Sequence, residues 1–500
     1  MFKTFHGFHL VDRIHKRNLM KKRRNLPTNA IKIAIITALT LLVAFIPTET
    51  FHDMGLKGLT VVQHRVIALF VFAALMWLTE ALASWVTSMI VVVIMLLTVS
   101  NSAFSFLASE EYGEFVKYAD IMHCFANPTI MLFIGGFVLA IGMTKTKLDV
   151  VLARVLLKPF GTKSETVLLG FILVTALFSA FVSNTATAAM MLAFLGPVLR
   201  SLPADGKGRV ALALAIPVGA NLGGIMTPIG TPPNLIVLDN LNKFNGIDIT
   251  FPEWMMRMTP FVIILLFISW FLLKFLFPFK QKTINLVIEG EAKKDWRSII
   301  VYITFAVTVL LWVTDKVTGV NSNVVALLPV AVFAGIGVIT RRDLEEINWA
   351  VLWMVAGGFA LGVALNETGL AANLINSIPF NSWPVMAVLI GSGLICYTLS
   401  NFISNTATAA LLVPILAVVG KSMTAELAPI GGVACLLIGI AVAASVAMIL
   451  PISTPPNALA HGTGMIEQKY MAKSGLIMGI IGLVLGYGML VMLGSIGFFG

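Results

Sequence analysis

Long apolar stretches separated by short polar ones run through the chain from residue 30 to its end. A helix needs roughly 20 predominantly apolar residues to cross a bilayer. By that measure the pattern predicts crossings at 30–47, 62–79, 85–104, 126–145, 207–242, 255–279, 298–314, 322–340, 347–377, 425–462 and 474–498, eleven in all. Two further apolar stretches, 164–201 and 383–422, are each interrupted near the middle by Ser-Asn-Thr. Each is too short for two comfortable crossings joined by a loop, so both are read as re-entrant helical hairpins that enter and leave on one side. The expected fold class is an all-α polytopic membrane protein with 11 transmembrane helices plus two such hairpins.

Composition supports the bilayer and removes other partners. The chain is 58% hydrophobic and 12% charged, where soluble domains carry roughly 25% charged residues. The net charge of +10 is unevenly spread, with eight Lys or Arg inside residues 1–24. That segment reads as a cytoplasmic topology anchor with some affinity for anionic lipid, not as a nucleic-acid surface or a cleavable leader. With the N-terminus in the cytoplasm, the segments 1–32, 145–163, 200–209, 274–297, 341–342 and 469–473 fall inside. They hold 27 of the 34 Lys and Arg. The outer loop 105–125 is acidic, with Glu110, Glu111, Glu114 and Asp120. This obeys the positive-inside rule for a cytoplasmic membrane and puts the C-terminus outside. Cys124, Cys396 and Cys435 are far apart, form no metal or disulfide spacing, and read as structural.

Internal repetition is the strongest signal in the chain. Gly135-Gly136-Phe137 recurs as Gly357-Gly358-Phe359, 222 residues on. Ser183 to Ala189 recurs unchanged as Ser404 to Ala410, offset 221, and Thr231-Pro232-Pro233-Asn234 as Thr454-Pro455-Pro456-Asn457, offset 223. Weaker echoes are Trp77 to Glu80 and Trp312 to Asp315. Five crossings separate the copies and the hairpins add none, so the second copy is inverted relative to the first. Inverted repeats with a site at their midplane interface are the plan of many secondary transporters.

Each cassette has its own chemistry. In Ser183-Asn184-Thr185 and Ser404-Asn405-Thr406, small polar residues precede strong helix formers, which is an N-terminal cap. Such a tip offers free N–H groups, hydroxyls and an amide at a depth where irregular backbone must be buried in protein or line a cavity. Proline lacks an N–H, disfavours helix in the residue before it, and suits the first helical position. The Thr-Pro-Pro-Asn segments therefore break a crossing and restart it, with Thr231 and Thr454 as caps. Up to four helix N-termini converge, each suited to an anion. No Lys or Arg lies near the tips or the breaks. A doubly charged anion held without cationic side chains is costly unless small cations bind with it. Backbone carbonyls and Ser, Thr and Asn oxygens suit Na⁺.

At these residues the chain resembles the divalent anion/sodium symporter family, over nearly its whole length beyond the basic extension. The resemblance implies a homodimer in the lipid bilayer with an elevator mechanism. It implies a scaffold at 30–160 and 296–380, after a basic segment 1–29, and a transport domain at 161–280 and 381–500. Carried over by position, Ser183, Asn184, Thr185, Ser404, Asn405 and Thr406 would contact substrate carboxylates. Thr231, Pro232, Thr454 and Pro455 would close the site. One Na⁺ would match Ser179, Ser183, Asn184 and Gly230, and a second Ser400, Ile403 (through its carbonyl), Asn405 and Ser453. Two intact Ser-Asn-Thr motifs resemble the dicarboxylate members more than the sulfate carriers. Na⁺ would act as coupling ion, and no other cofactor is expected.

Two positions depart from the family pattern. Ser453 stands where alanine is frequent. His461 stands where an apolar or aromatic residue is expected, and is either a titratable group near the substrate or a histidine at the end of a crossing. Glu80, Asp315 and Glu367 lie near membrane segments; the first two read as interfacial or structural, and Glu367 has no assigned role. Within the family, Na⁺-coupled import of C4-dicarboxylates such as succinate competes with Na⁺-independent exchange. An intramembrane enzyme would need a nucleophile with a base or a set of metal ligands, and no such motif is present. A channel would not need two broken-helix cassettes in inverted registration.

Overall fold

The computed structural model describes residues 26–53, 58–202, 206–284, 293–378 and 380–498. Seventeen of their helices frame the fold, beside Leu148–Leu157, Leu370–Ser377 and shorter turns, and pairing between extended segments is limited to two isolated bridges. In chain order the helices are α1 (Leu26–Phe45), α2 (Val61–Thr79), α3 (Ser84–Thr98), α4 (Pro128–Thr146), α5 (Ser164–Phe181), α6 (Asn184–Ser201), α7 (Lys207–Gly223), α8 (Pro232–Asn245) and α9 (Phe251–Leu276). The second half continues with α10 (Trp296–Val313), α11 (Leu327–Gly335), α12 (Trp349–Glu367), α13 (Val385–Phe402), α14 (Asn405–Ser422), α15 (Gly432–Ser445), α16 (Pro455–Gly462) and α17 (Gln468–Ser495).

The expected crossings overlap these elements but not one for one. Residues 347–377 divide at Gly369 (φ 72°) into α12 and a short helix Leu370–Ser377. Residues 85–104 are helical only to Thr98, 322–340 is split into a short turn at Ser322–Val325 and α11, and the helix expected from residue 30 begins at Leu26. Residues 1–25 of the basic segment lie outside the described residues. Among the described residues nine helices are long and apolar enough to cross a membrane, or ten if the pair Thr424–Ile430 and Gly432–Ser445, bent by 70°, counts as one span. Three of the nine are the hairpin arms α5, α13 and α14. Apolarity reports what a helix lies against, not where it ends.

Packing crosses between the two halves. α3 of the first half packs on α12 of the second, and α4 packs on α11 and the turn before it. In the same way α6 packs on α16, and α14 packs on α8. The glycines of the first repeated landmark make the first two contacts possible. A Cβ on Gly135 would strike the Ala326 carbonyl, and one on Gly357 would strike the Ser88 side chain. Ser88 Oγ also donates to Met354 O at 3.2 Å. The tryptophan echo has the same logic: Trp77 Nε1 donates to Ser84 O at 3.1 Å and Trp312 Nε1 to Ser322 O at 3.0 Å. Each buried indole thereby satisfies its only donor on the start of the next helix. The acids beside them diverge. Glu80 is exposed in a left-handed conformation (φ 48°), whereas Asp315 is buried and accepts from Phe251 N and Ser322 Oγ at 3.3 and 3.1 Å.

Candidate functional site

Both hairpin tips fold as the caps predict. α5 ends at Phe181, Val182 is extended, and Ser183 Oγ accepts from Ala186 N at 3.3 Å. α13 ends at Phe402, Ile403 is extended, and Ser404 Oγ accepts from Ala407 N at 3.1 Å. Asn184 with Thr185, and Asn405 with Thr406, are therefore the first two residues of their helices. Their N–H groups are among those no helix can satisfy internally.

The breaks follow the proline pattern. α7 stops at Gly223 and α8 restarts at Pro232, with Thr231 extended at the cap position; Thr454 is the matching residue before α16. The asparagine that closes each motif fastens the loop in front of it. Asn234 Nδ2 donates to Gly224 O at 3.0 Å and Thr227 O at 2.8 Å. Asn457 Nδ2 donates to Met448 O at 2.8 Å and Leu450 O at 3.1 Å. Carbonyls released by unwinding thus regain donors, as buried backbone requires.

Tips and breaks meet at a cavity of about 290 Å³. Ser183, Asn184, Thr185, Gly230, Thr231, Pro232, Ser404, Asn405, Thr406, Ser453, Thr454 and Pro455 all line it. Ser179, Ser400 and Ile403 stand behind this surface and are buried. The tips are not equivalent, since Thr185 is exposed and Thr406 is buried. The opposite wall comes from α3, α4 and α12: Trp85, Phe133, Phe137, Val351 and Met354, with Ser84 and Asn348 as its polar members. No lining side chain is charged. The cavity therefore offers hydroxyls, amides and helix N-termini against an apolar wall, which suits a small anion with a short carbon chain.

Of the two residue sets matched to cations, the first gathers neutral oxygens around Asn184, though with Ala220 O in place of Ser183, whose Oγ caps its helix. Around the Asn184 amide stand Ser179 Oγ at 2.6 Å, Gly230 O at 3.0 Å and Ala220 O at 3.3 Å. With its nitrogen towards them the amide donates to these oxygens; with its oxygen towards them it completes a cluster of four neutral oxygens. In the second half Ser400 Oγ and Asn405 Oδ1 are buried with no hydrogen-bond partner. Ser453 Oγ is engaged elsewhere, donating to Asn401 O at 2.9 Å and accepting from Leu450 N at 3.0 Å. Among the described residues no group of three or more His, Cys, Asp or Glu comes together. Any cation here would be held by neutral oxygens, which is Na⁺ chemistry rather than that of zinc or calcium.

The structure places other named residues elsewhere. His461 is not among the lining residues; its Nδ1 lies 2.8 Å from Ile466 O, where it braces the end of α16. Glu367 is exposed at the end of α12. Sequence reading missed Asn221, which lines the cavity and is 2% exposed. Comparing the repeats hid it, because the matching position is Ala444. The signal available was a lone amide in an otherwise apolar, small-residue crossing.

Known proteins resemble this chain at three levels. The citrate transporter family profile matches residues 67–434. An uncharacterised transporter of Haemophilus influenzae is 33% identical over 437 residues, covering 83% of this chain and 88% of its own length. The sodium-dependent dicarboxylate transporter SdcS of Staphylococcus aureus is 30% identical, covering 87% of this chain and 86% of its own. Two solved structures share the fold at 12% identity. They are the YdaH transporter of Alcanivorax borkumensis (TM-score 0.57, covering 83% of this chain and 99% of that one) and MtrF of Neisseria gonorrhoeae (TM-score 0.52, covering 82% and 95%). The chain is thus a multi-pass membrane protein that belongs to the citrate transporter family, and to the divalent anion/sodium symporter type that its paired motifs resemble.

Proposed function

We propose that this protein is a secondary active transporter of C4-dicarboxylates, of the succinate, malate and fumarate type, in the cytoplasmic membrane, and that Na⁺ drives uptake. The observation that carries this reading is the single uncharged cavity into which both Ser-Asn-Thr tips and both Thr-Pro breaks point. Two symmetry-related sets of donors suit two carboxylates, and the neutral oxygens behind them, clustered around Asn184 and unpartnered at Ser400 and Asn405, suit Na⁺ ions that offset the charge. The sodium-dependent dicarboxylate transporters among the relatives support the same substrate class.

In this reading the repeats are inverted, with eleven crossings and two re-entrant hairpins. The transport domain comprises 161–280 and 381–500; it slides against a scaffold of 30–160 and 296–380, and the scaffold forms a homodimer. The division follows the cavity, whose polar side belongs to one set of helices and whose apolar wall belongs to the other. Ser84 and Asn348 lie beside loops assigned to the cytoplasm, so the mouth faces inward. On the far side Asn127 Nδ2 donates to Asp239 Oδ1 at 2.9 Å, and Lys243, paired with Asp239 at 2.8 Å, sits 4.8 Å from the Phe359 ring centre. These contacts join α8 to the scaffold and close that side.

The test is uptake of labelled succinate into proteoliposomes, with citrate and sulfate as competitors. One set has an inward Na⁺ gradient and an empty lumen; the other has no Na⁺ and a lumen loaded with dicarboxylate. Uptake in the first set is expected. Uptake in the second set alone replaces symport by exchange, and uptake in neither removes the dicarboxylate reading.

A further inference from the structure

The buried amides around Thr454 have a forced polarity. Asn457 Nδ2 faces the carbonyls of Met448 and Leu450, which can only accept, so Asn457 must present its oxygen on the other side. That oxygen meets Asn221 at 3.2 Å, so Asn221 must present its nitrogen. The second hydrogen of Asn221 Nδ2 then points to Thr454 Oγ1 at 3.1 Å. Thr454 Oγ1 also accepts from Asn457 N at 3.3 Å, and a backbone N–H can only donate. Both lone pairs of the hydroxyl are therefore engaged. Its hydrogen has no acceptor among the described residues, and Thr454, 3% exposed, lines the cavity.

We propose that Asn221 is a positioning residue that fixes the Thr454 hydroxyl as a hydrogen-bond donor to an anionic oxygen of the substrate. The inference rests on the anion-transport reading above. It makes the two halves of the site unequal, because Ala444 occupies the matching position and Thr231 takes its cap position with no side-chain cap bond. A hydroxyl free to rotate presents either a proton or a lone pair. One held by two donors presents only its proton, so it favours an anion where no cationic side chain is available.

The experiment measures KM and Vmax for succinate uptake by the full-length protein in proteoliposomes, for Asn221→Ala, Thr454→Val and the double variant. Each single variant is expected to raise KM about tenfold, the worth of one charge-assisted hydrogen bond. The double variant is expected to match Thr454→Val within twofold. A full tenfold effect of Asn221→Ala in the Thr454→Val background overturns the proposal, since Asn221 would then act by another route. So does a loss confined to Vmax, which a purely structural role produces. Should Asn221→Ala fail to fold, Thr454→Val is compared with Thr231→Val. At least a fivefold larger KM increase for Thr454→Val is expected, and equal effects overturn the proposal. Wild-type protein that takes up no succinate, citrate or sulfate overturns the transport reading itself, whereas transport with additive variants overturns this inference alone.

Discussion

Ser453 Oγ donates to Asn401 O across the second break, in the place where Thr227 Oγ1 donates to Ala180 O across the first. Asn401 and Ala180 are equivalent residues of the two hairpins, 221 apart, while Ser453 aligns with Gly230 and Thr227 with Leu450. The same tie between hairpin and break is thus made from different positions. Ser453, a departure from the family pattern, is accounted for by this bond. Ser453→Ala removes it and leaves the half-buried Leu450 N without its acceptor, which costs about 1 kcal/mol. Thermal unfolding of the purified protein is expected to shift down accordingly. An unchanged midpoint would mean that the tie contributes nothing.

In the proposed site the tips carry recognition. Asn184→Ala and Asn405→Ala each remove an amide from the cavity, and Asn184→Ala also removes the centre of the oxygen cluster. Succinate uptake by either variant is expected to fall to background, with a monodisperse profile in detergent showing that the protein still folds. Uptake retained by both would place the site elsewhere.

The closed side makes a separate prediction. Cys124 lies three residues before Asn127 and is 3% exposed. If α8 moves against the scaffold, the Asn127–Asp239 bond must break in every cycle. Asp239→Ala, in a chain with Cys396→Ala and Cys435→Ala, is expected to raise the rate of Cys124 labelling by a membrane-impermeant maleimide about tenfold. An unaltered rate would show that these contacts do not hold that side shut.

The repeated glycines test packing directly. Gly135→Ala and Gly357→Ala press a methyl group into the Ala326 carbonyl and the Ser88 side chain. Overpacking of this kind costs about 1–3 kcal/mol. Gly135→Ala is expected to be the worse of the two, because its methyl group would come closer to its neighbour, the Ala326 carbonyl, than that of Gly357→Ala would come to Ser88. The reverse order of unfolding temperatures would contradict that reasoning.

Much of this fold and site was legible because its determinants are local. A cap needs Ser before helix formers, and a restart needs Pro at the first position, so Ser183, Ser404, Thr231 and Thr454 announce themselves. Duplication then supplied the pairing of distant segments. What escaped has a shared cause: it depends on what one half places against the other. Asn221 looks like a lone polar residue until Thr454 and Asn457 are seen beside it. Likewise Ser453 gains its role from Asn401, and the function of Gly135 from Ala326. Of the two readings of His461, the structure bears out the histidine at the end of a crossing, since the short α16 turns it towards Ile466.

The exchange of partners between halves bears on how the protein is made. α3 and α4 lie against helices whose residues begin beyond 320, and α6 lies against a helix that begins at Pro455. Each grows from the ribosome long before its counterpart exists. Until Ala326 is inserted, the Gly135 notch of the first half has no partner to fill it. Completion of the cavity must then wait for the last tenth of the chain, and a chain truncated after the first repeat would leave these faces of α3, α4 and α6 without their partners.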